Sequence, residues 1–136
     1  MITYVDASVV LRLVQGEPGV LESWSDLTPV SSQLTRTECL RVIDRARITG
    51  ATNDQVASHH RATALGVLAT FSLAPVTDST LERAADPFPT ALGTLDAIHL
   101  ATALQLREEF PDLEFATHDR ELAIAARAVG FPVTGA

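Results

Sequence analysis

The chain has 136 residues, 46% hydrophobic and 20% charged, enough for one real core, and this composition excludes a disordered chain. A net charge of −7 excludes a protein that holds nucleic acid by bulk electrostatics, though not one that uses a local basic rim and bound metal ions. The single cysteine, Cys39, excludes an internal disulfide or a cysteine metal cluster, and all ten basic residues are arginine.

Residues 1–6 carry an acid and no basic stretch, so no signal peptide is expected, and no apolar run approaches the roughly 18 residues of a membrane helix. A cytoplasmic protein forming a single domain over residues 1–136 is expected. Residues 2–5 read as a short buried strand ending at Asp6, followed by a helix over 7–14 that stops at Gly16. A second short helix is predicted over 18–26 and a weak strand over 27–31, with Ser31 and Ser32 as helix caps. Leu34, Leu40, Ile43 and Ala46 predict a helix over 33–49 closed by Gly50, and Asn53-Asp54 opens another reaching about residue 69. Then follow a strand over 71–76, a short helix over 77–85 and a Pro-rich loop over 86–93. Thr94 is predicted to cap a helix over 95–109 that is apolar on nearly every face. A strand over 113–117, a helix over 119–129 and a last strand over 131–134 complete the chain. Strands alternating with helices predict a three-layer α/β/α sandwich around a mainly parallel sheet of four to five strands. Ligands of such sheets sit beyond the carboxyl ends of the strands, where Asp6 and Asp119 lie.

Each acid has a plain alternative. Asp6 and Asp119 can each cap a helix, and Glu38 completes a capping box if its helix starts at Thr35. If that helix starts at Ser32, Glu38 stands in the second turn and is free for other work. Asp96 can serve the helix dipole, but it shares a face with Leu100 and Ala103 on an apolar helix, where a carboxylate needs compensation. No lysine exists to provide it. Gathered carboxylates repel by roughly 4 kcal/mol at about 4 Å and an effective dielectric near 20, a cost that a divalent cation removes. Such a site activates water for phosphodiester hydrolysis.

Four blocks carry a resemblance: Tyr4-Val5-Asp6-Ala7-Ser8, Leu34-Thr35-Arg36-Thr37-Glu38, residues 95–103 (LDAIHLATA) and Ala116-Thr117-His118-Asp119-Arg120-Glu121-Leu122. In order and spacing the chain resembles PIN domains, and among them the VapC toxins of bacterial toxin–antitoxin pairs. The resemblance implies an endoribonuclease dependent on Mg²⁺ or Mn²⁺, leaving 5′-phosphate and 3′-hydroxyl ends. Asp6 and Asp96 would be the principal ligands, Glu38 would act directly or through water, and Asp119 would complete the pocket. Thr117 stands where the family has a Ser/Thr hydroxyl, with Ser8 as a supporting donor. A homodimer, neutralised by a cognate antitoxin whose C-terminal segment covers the groove, is implied as well.

His99 reads as a core histidine or a neighbour of the ligands rather than a ligand, because hard cations prefer oxygen. His118 is expected to point away from Asp119, His59 and His60 to be solvated, and Trp24 and Cys39 to pack. Arg41 and Arg45 either steer RNA phosphate or pair with Asp44. Phosphoryl-accepting receiver domains, haloacid-dehalogenase-like phosphatases and P-loop enzymes all need a lysine and are excluded. The remaining alternative is a non-catalytic PIN-like module that binds protein or RNA.

Overall fold

The computed structural model describes residues 1–19, 21 and 24–136. Its elements run β1 (Ile2–Val5), α1 (Ala7–Val14), β2 (Thr28–Ser32), α2 (Gln33–Ile48), α3 (Asp54–Leu68) and β3 (Ser72–Ala74) in the first half. The second half gives α4 (Asp78–Ala85), α5 (Thr94–Glu109), β4 (Glu114–Ala116), α6 (Arg120–Ala128) and β5 (Val133–Thr134). The local chemistry expected at the helix starts is present. Ser32, Asn53 and Thr77 accept a backbone N–H at the starts of α2, α3 and α4, and Asp6 and Asp119 do the same for α1 and α6.

The strands form one sheet in the order β3-β2-β1-β4-β5, every pair parallel. Alternate side chains go to opposite faces, so Val5 and Ala116 join the core under α1, α2 and α3, while Tyr4 and Phe115 join the core under α5 and α6. Each large apolar side chain so enclosed contributes about 1.5–3 kcal/mol. The chain leaves β1 toward β2 with helices on one face, and later returns to β4 and β5 with helices on the other. The switch between β1 and β4 leaves a crevice at their carboxyl ends.

Three local expectations need correction. Of the helix expected over 18–26, Val20, Glu22 and Ser23 lie outside the described residues, and among the described ones only Trp24–Asp26 form a turn, of 3-10 type. Gly19 takes φ +85°, which a helix cannot accommodate. The strand expected over 71–76 shortens to Ser72–Ala74, since it pairs on one side only and Pro75 has no N–H to continue it. The cap of α5 is the extended Gly93 rather than Thr94, which is the first helical residue and makes no capping bond. Burial along α5 is strongest from Ala97 to Ala103, while Leu95 is half exposed, so the first turn emerges at the surface.

A candidate active site at the strand ends

Asp6 follows β1 directly and is 4% exposed. Its Oδ1 accepts the Ser8 backbone N–H at 3.1 Å and the Ser8 hydroxyl at 2.6 Å, and its Oδ2 accepts the Thr117 hydroxyl at 2.7 Å. Each hydroxyl in turn accepts a backbone N–H from the turn between β4 and α6. His118 N donates to Ser8 Oγ at 2.9 Å, and Asp119 N donates to Thr117 Oγ1 at 3.0 Å. Asp6 is thereby tied to the turn that carries Asp119. Burial raises the Asp6 pKa, and the hydrogen bonds from Ser8 and Thr117 oppose the rise.

Glu38 lies in the second turn of α2, because that helix begins at Gln33 under the Ser32 cap. Asp96 lies in the first turn of α5, and Asp119 caps α6 with Oδ1 toward Leu122 N at 3.1 Å. All four carboxylates line one cleft of about 200 Å³ together with Ala7, Ser8, Leu11, Val42 and His99. The lining contains no arginine. Burial pushes the Asp96 pKa up to about 6, with further upward pressure from the charges of Asp119, Asp6 and Glu38 and partial relief from His99. The carboxyl group of Asp96 accepts no hydrogen bond among the described residues.

The donor chemistry of this cleft, carboxylate oxygens without a compensating guanidinium, suits a hard divalent cation. Among the described residues, however, no three His, Cys, Asp or Glu side chains stand at ligand spacing. Both oxygens of Asp6 accept from protein donors, while Glu38 and Asp119 each commit one oxygen and keep the other without a partner among the described residues.

The secondary residues fall as follows. His99 is 2% exposed and bonded to Tyr4 and Glu38. His118 lies outside the cleft lining, with Nδ1 donating to the Gly135 carbonyl at 2.7 Å. Arg41 and Arg47 pair with Asp44 on the exposed face of α2, whereas Arg45 is exposed outside these pairs. His59 is exposed and His60 half-buried, while Trp24 packs against the core under α1–α3. Cys39 is fully buried in that core, and burial pushes its thiol up to about 12, which keeps it protonated and inert. Tyr4, Leu11 and Val42 were not among the expected site residues. A buried aromatic in a strand and two helix apolars carry no signal that separates them from core.

Gly135 closes the other side of the Thr117–Asp119 turn. Its φ is +97°, and a Cβ there would stand 2.6 Å from the Thr117 carbonyl oxygen. Gly135→Ala is expected to cost about 1–2 kcal/mol and to lower the melting temperature by roughly 4–8 °C. An unchanged melting curve would show that the segment does not brace the turn.

A model of the PIN domain family matches residues 3–128. A ribonuclease of Mycobacterium tuberculosis, VapC47, is 34% identical, the match covering 94% of this chain and 92% of that protein. A toxin–antitoxin complex from Klebsiella pneumoniae contains a chain that superposes with a TM-score of 0.61 at 20% identity, covering 89% of this chain and 90% of its own. A crystal structure from Pyrobaculum aerophilum superposes equally, with a TM-score of 0.61 at 23% identity over 98% and 92%. At these identities the two structures speak for the fold, which is the expected α/β/α sandwich around a parallel sheet. The family match over nearly the whole length, joined to the VapC relative, shows that this chain belongs to the PIN domain family and is of the VapC type.

Proposed function

We propose that this chain is the toxin of a toxin–antitoxin pair, an endoribonuclease whose four-carboxylate cleft holds Mg²⁺ or Mn²⁺ through Asp6, Glu38, Asp96 and Asp119. The observation that carries the reading is the shared cleft, where four acids from four elements meet without an arginine and the Asp96 pKa rises to about 6. A bare cleft of this charge repels an RNA phosphate, so RNA can enter only if a cation reverses the local field. When bound, such a cation supplies a Lewis acid for the phosphoryl oxygens and activates water as the nucleophile. The chain's own residues do the rest. Ser8 and Thr117 fix Asp6, the Asp119 cap holds the start of α6, and Leu11 and Val42 give the cleft an apolar wall. RNA is the substrate, a cognate antitoxin the partner, the cytoplasm the compartment and a homodimer the assembly within this reading. No helix is long and apolar enough to cross a membrane among the described residues.

The test uses purified protein and structured RNAs in Mn²⁺, in Mg²⁺ and in excess chelator. Cleavage is expected with either ion, leaving 5′-phosphate and 3′-hydroxyl ends, and none with chelator. Cleavage that survives chelation would sink the metal mechanism. Metal-loaded protein that binds RNA and leaves it intact would favour the non-catalytic module instead.

A further inference from the structure

A buried line of hydrogen bonds runs from β1 through α5 to α2. Tyr4 Oη stands 2.7 Å from His99 Nδ1, and His99 Nε2 meets Glu38 Oε1. Tyr4 is fully buried and stacked on Phe115, with ring centroids 5.1 Å apart at 18°, which leaves its hydroxyl little freedom. The imidazole meets the phenol edge-on at 73°. A carboxylate can only accept, so Nε2 carries the hydrogen facing Glu38, and in the neutral imidazole Nδ1 accepts the Tyr4 hydroxyl. In either form of the imidazole the line ends on one oxygen of Glu38, which accepts from Nε2.

Core packing alone does not account for this arrangement. α2 and α5 lie on opposite faces of the sheet, and the line joins them at the cleft, whose lining contains both His99 and Glu38. Without it, Glu38 is a long side chain at 22% exposure with free rotamers to lose on binding anything. With it, Oε1 is held and Oε2 has no partner among the described residues.

We infer that Tyr4 and His99 are positioning residues that hold Glu38 over the cleft so that its second oxygen is presented to a bound divalent cation. The inference rests on the cation-dependent reading above. Partners that orient a ligating carboxylate commonly affect metal affinity by about 10–100-fold when removed.

The experiment separates the two ends of the imidazole. The glutamine amide nitrogen reaches as far as Nε2, so His99→Gln keeps a donor for Glu38 and loses Tyr4. Asparagine reaches only as far as Nδ1, so His99→Asn keeps Tyr4 and loses Glu38. Mn²⁺ binding to the RNA-free proteins is measured by calorimetry, alongside cleavage rate against Mn²⁺ concentration and melting temperature. His99→Asn is expected to weaken Mn²⁺ binding by about 10–100-fold, with a matching rise in the Mn²⁺ needed for half-maximal rate and little change at saturation. His99→Gln is expected to stay within about 3-fold of wild type, and Tyr4→Phe to fall between the two. Equal affinity in all four proteins would overturn the inference, and so would equal losses in Asn and Gln that follow melting temperature. A second readout needs no metal. The ¹⁵N spectrum of histidine-labelled, metal-free protein is expected to show His99 protonated at Nε2 and hydrogen-bonded, with that signature altered in Glu38→Gln. Wild type that shows the signature yet binds no Mn²⁺ overturns the cation reading, whereas wild type that binds Mn²⁺ without the signature overturns the positioning role alone.

Discussion

Asp96→Asn is expected to lower Mn²⁺-dependent RNA cleavage by more than about 100-fold, beyond what loss of a ligand's mere hydrogen-bonding partner costs a metal site. The same variant is expected to melt at a higher temperature than wild type when chelator is present. Asp96 stands in the first turn of α5 without a hydrogen bond among the described residues, facing the charges of Asp119, Asp6 and Glu38. Its pKa rises from 3.8 to about 6, so between those values the folded protein binds a proton that the unfolded chain has released. Metal-free wild type therefore loses stability as pH rises through that window and stays less stable above it. Asp96 is only half-buried, and solvent screening limits the gain on neutralising it to the order of 1 kcal/mol. Calorimetric melting in chelator, below and above the window, measures the difference. An Asn variant less stable than wild type above the window would contradict it, and retained cleavage would remove Asp96 from the site.

The second large effect divides between two replacements of one residue. Asp6→Asn and Asp6→Ala are both expected to reduce cleavage by more than about 100-fold, but only Ala is expected to lower the melting temperature. The amide oxygen of Asn can still accept the Ser8 and Val9 N–H groups, and the loss of a buried charge offsets what Thr117 gives up. Ala leaves α1 uncapped at a cost of about 1 kcal/mol and strands the Ser8 and Thr117 hydroxyls, for a total near 2 kcal/mol or roughly 8 °C. If the two variants melt together, the carboxyl group of Asp6 has no capping role separate from its charge.

Elements with strong periodicity or a good cap were legible in the sequence: α2 behind Ser32, α3 behind Asn53, α4 behind Thr77 and α6 behind Asp119. The failures were local contests. The positive φ of Gly19 is incompatible with a helix at that position, Pro75 shortened an edge strand, and the extended Gly93 rather than Thr94 took the cap of α5. At the site, the capping explanations for Asp6 and Asp119 were correct as well, since both residues cap a helix and line the cleft. Glu38 is the opposite case, since a helix starting at Gln33 leaves it out of any capping box. Asp96 read as uncompensated, but His99 relieves it in part. That could not be seen in one dimension, because the partner that holds His99 in the cleft, Glu38, is 61 residues away.

The order of the strands has a consequence for the newborn chain. Asp6 and Glu38 belong to the half that emerges first, whereas Asp96 and Asp119 come with α5 and α6, and the halves join through the parallel pairing of Thr3 with Glu114 and Val5 with Ala116. Contacts so distant in sequence close late in folding. A partly made polypeptide still on the ribosome therefore carries half a cleft until the turn holding Asp119 has emerged and folded back.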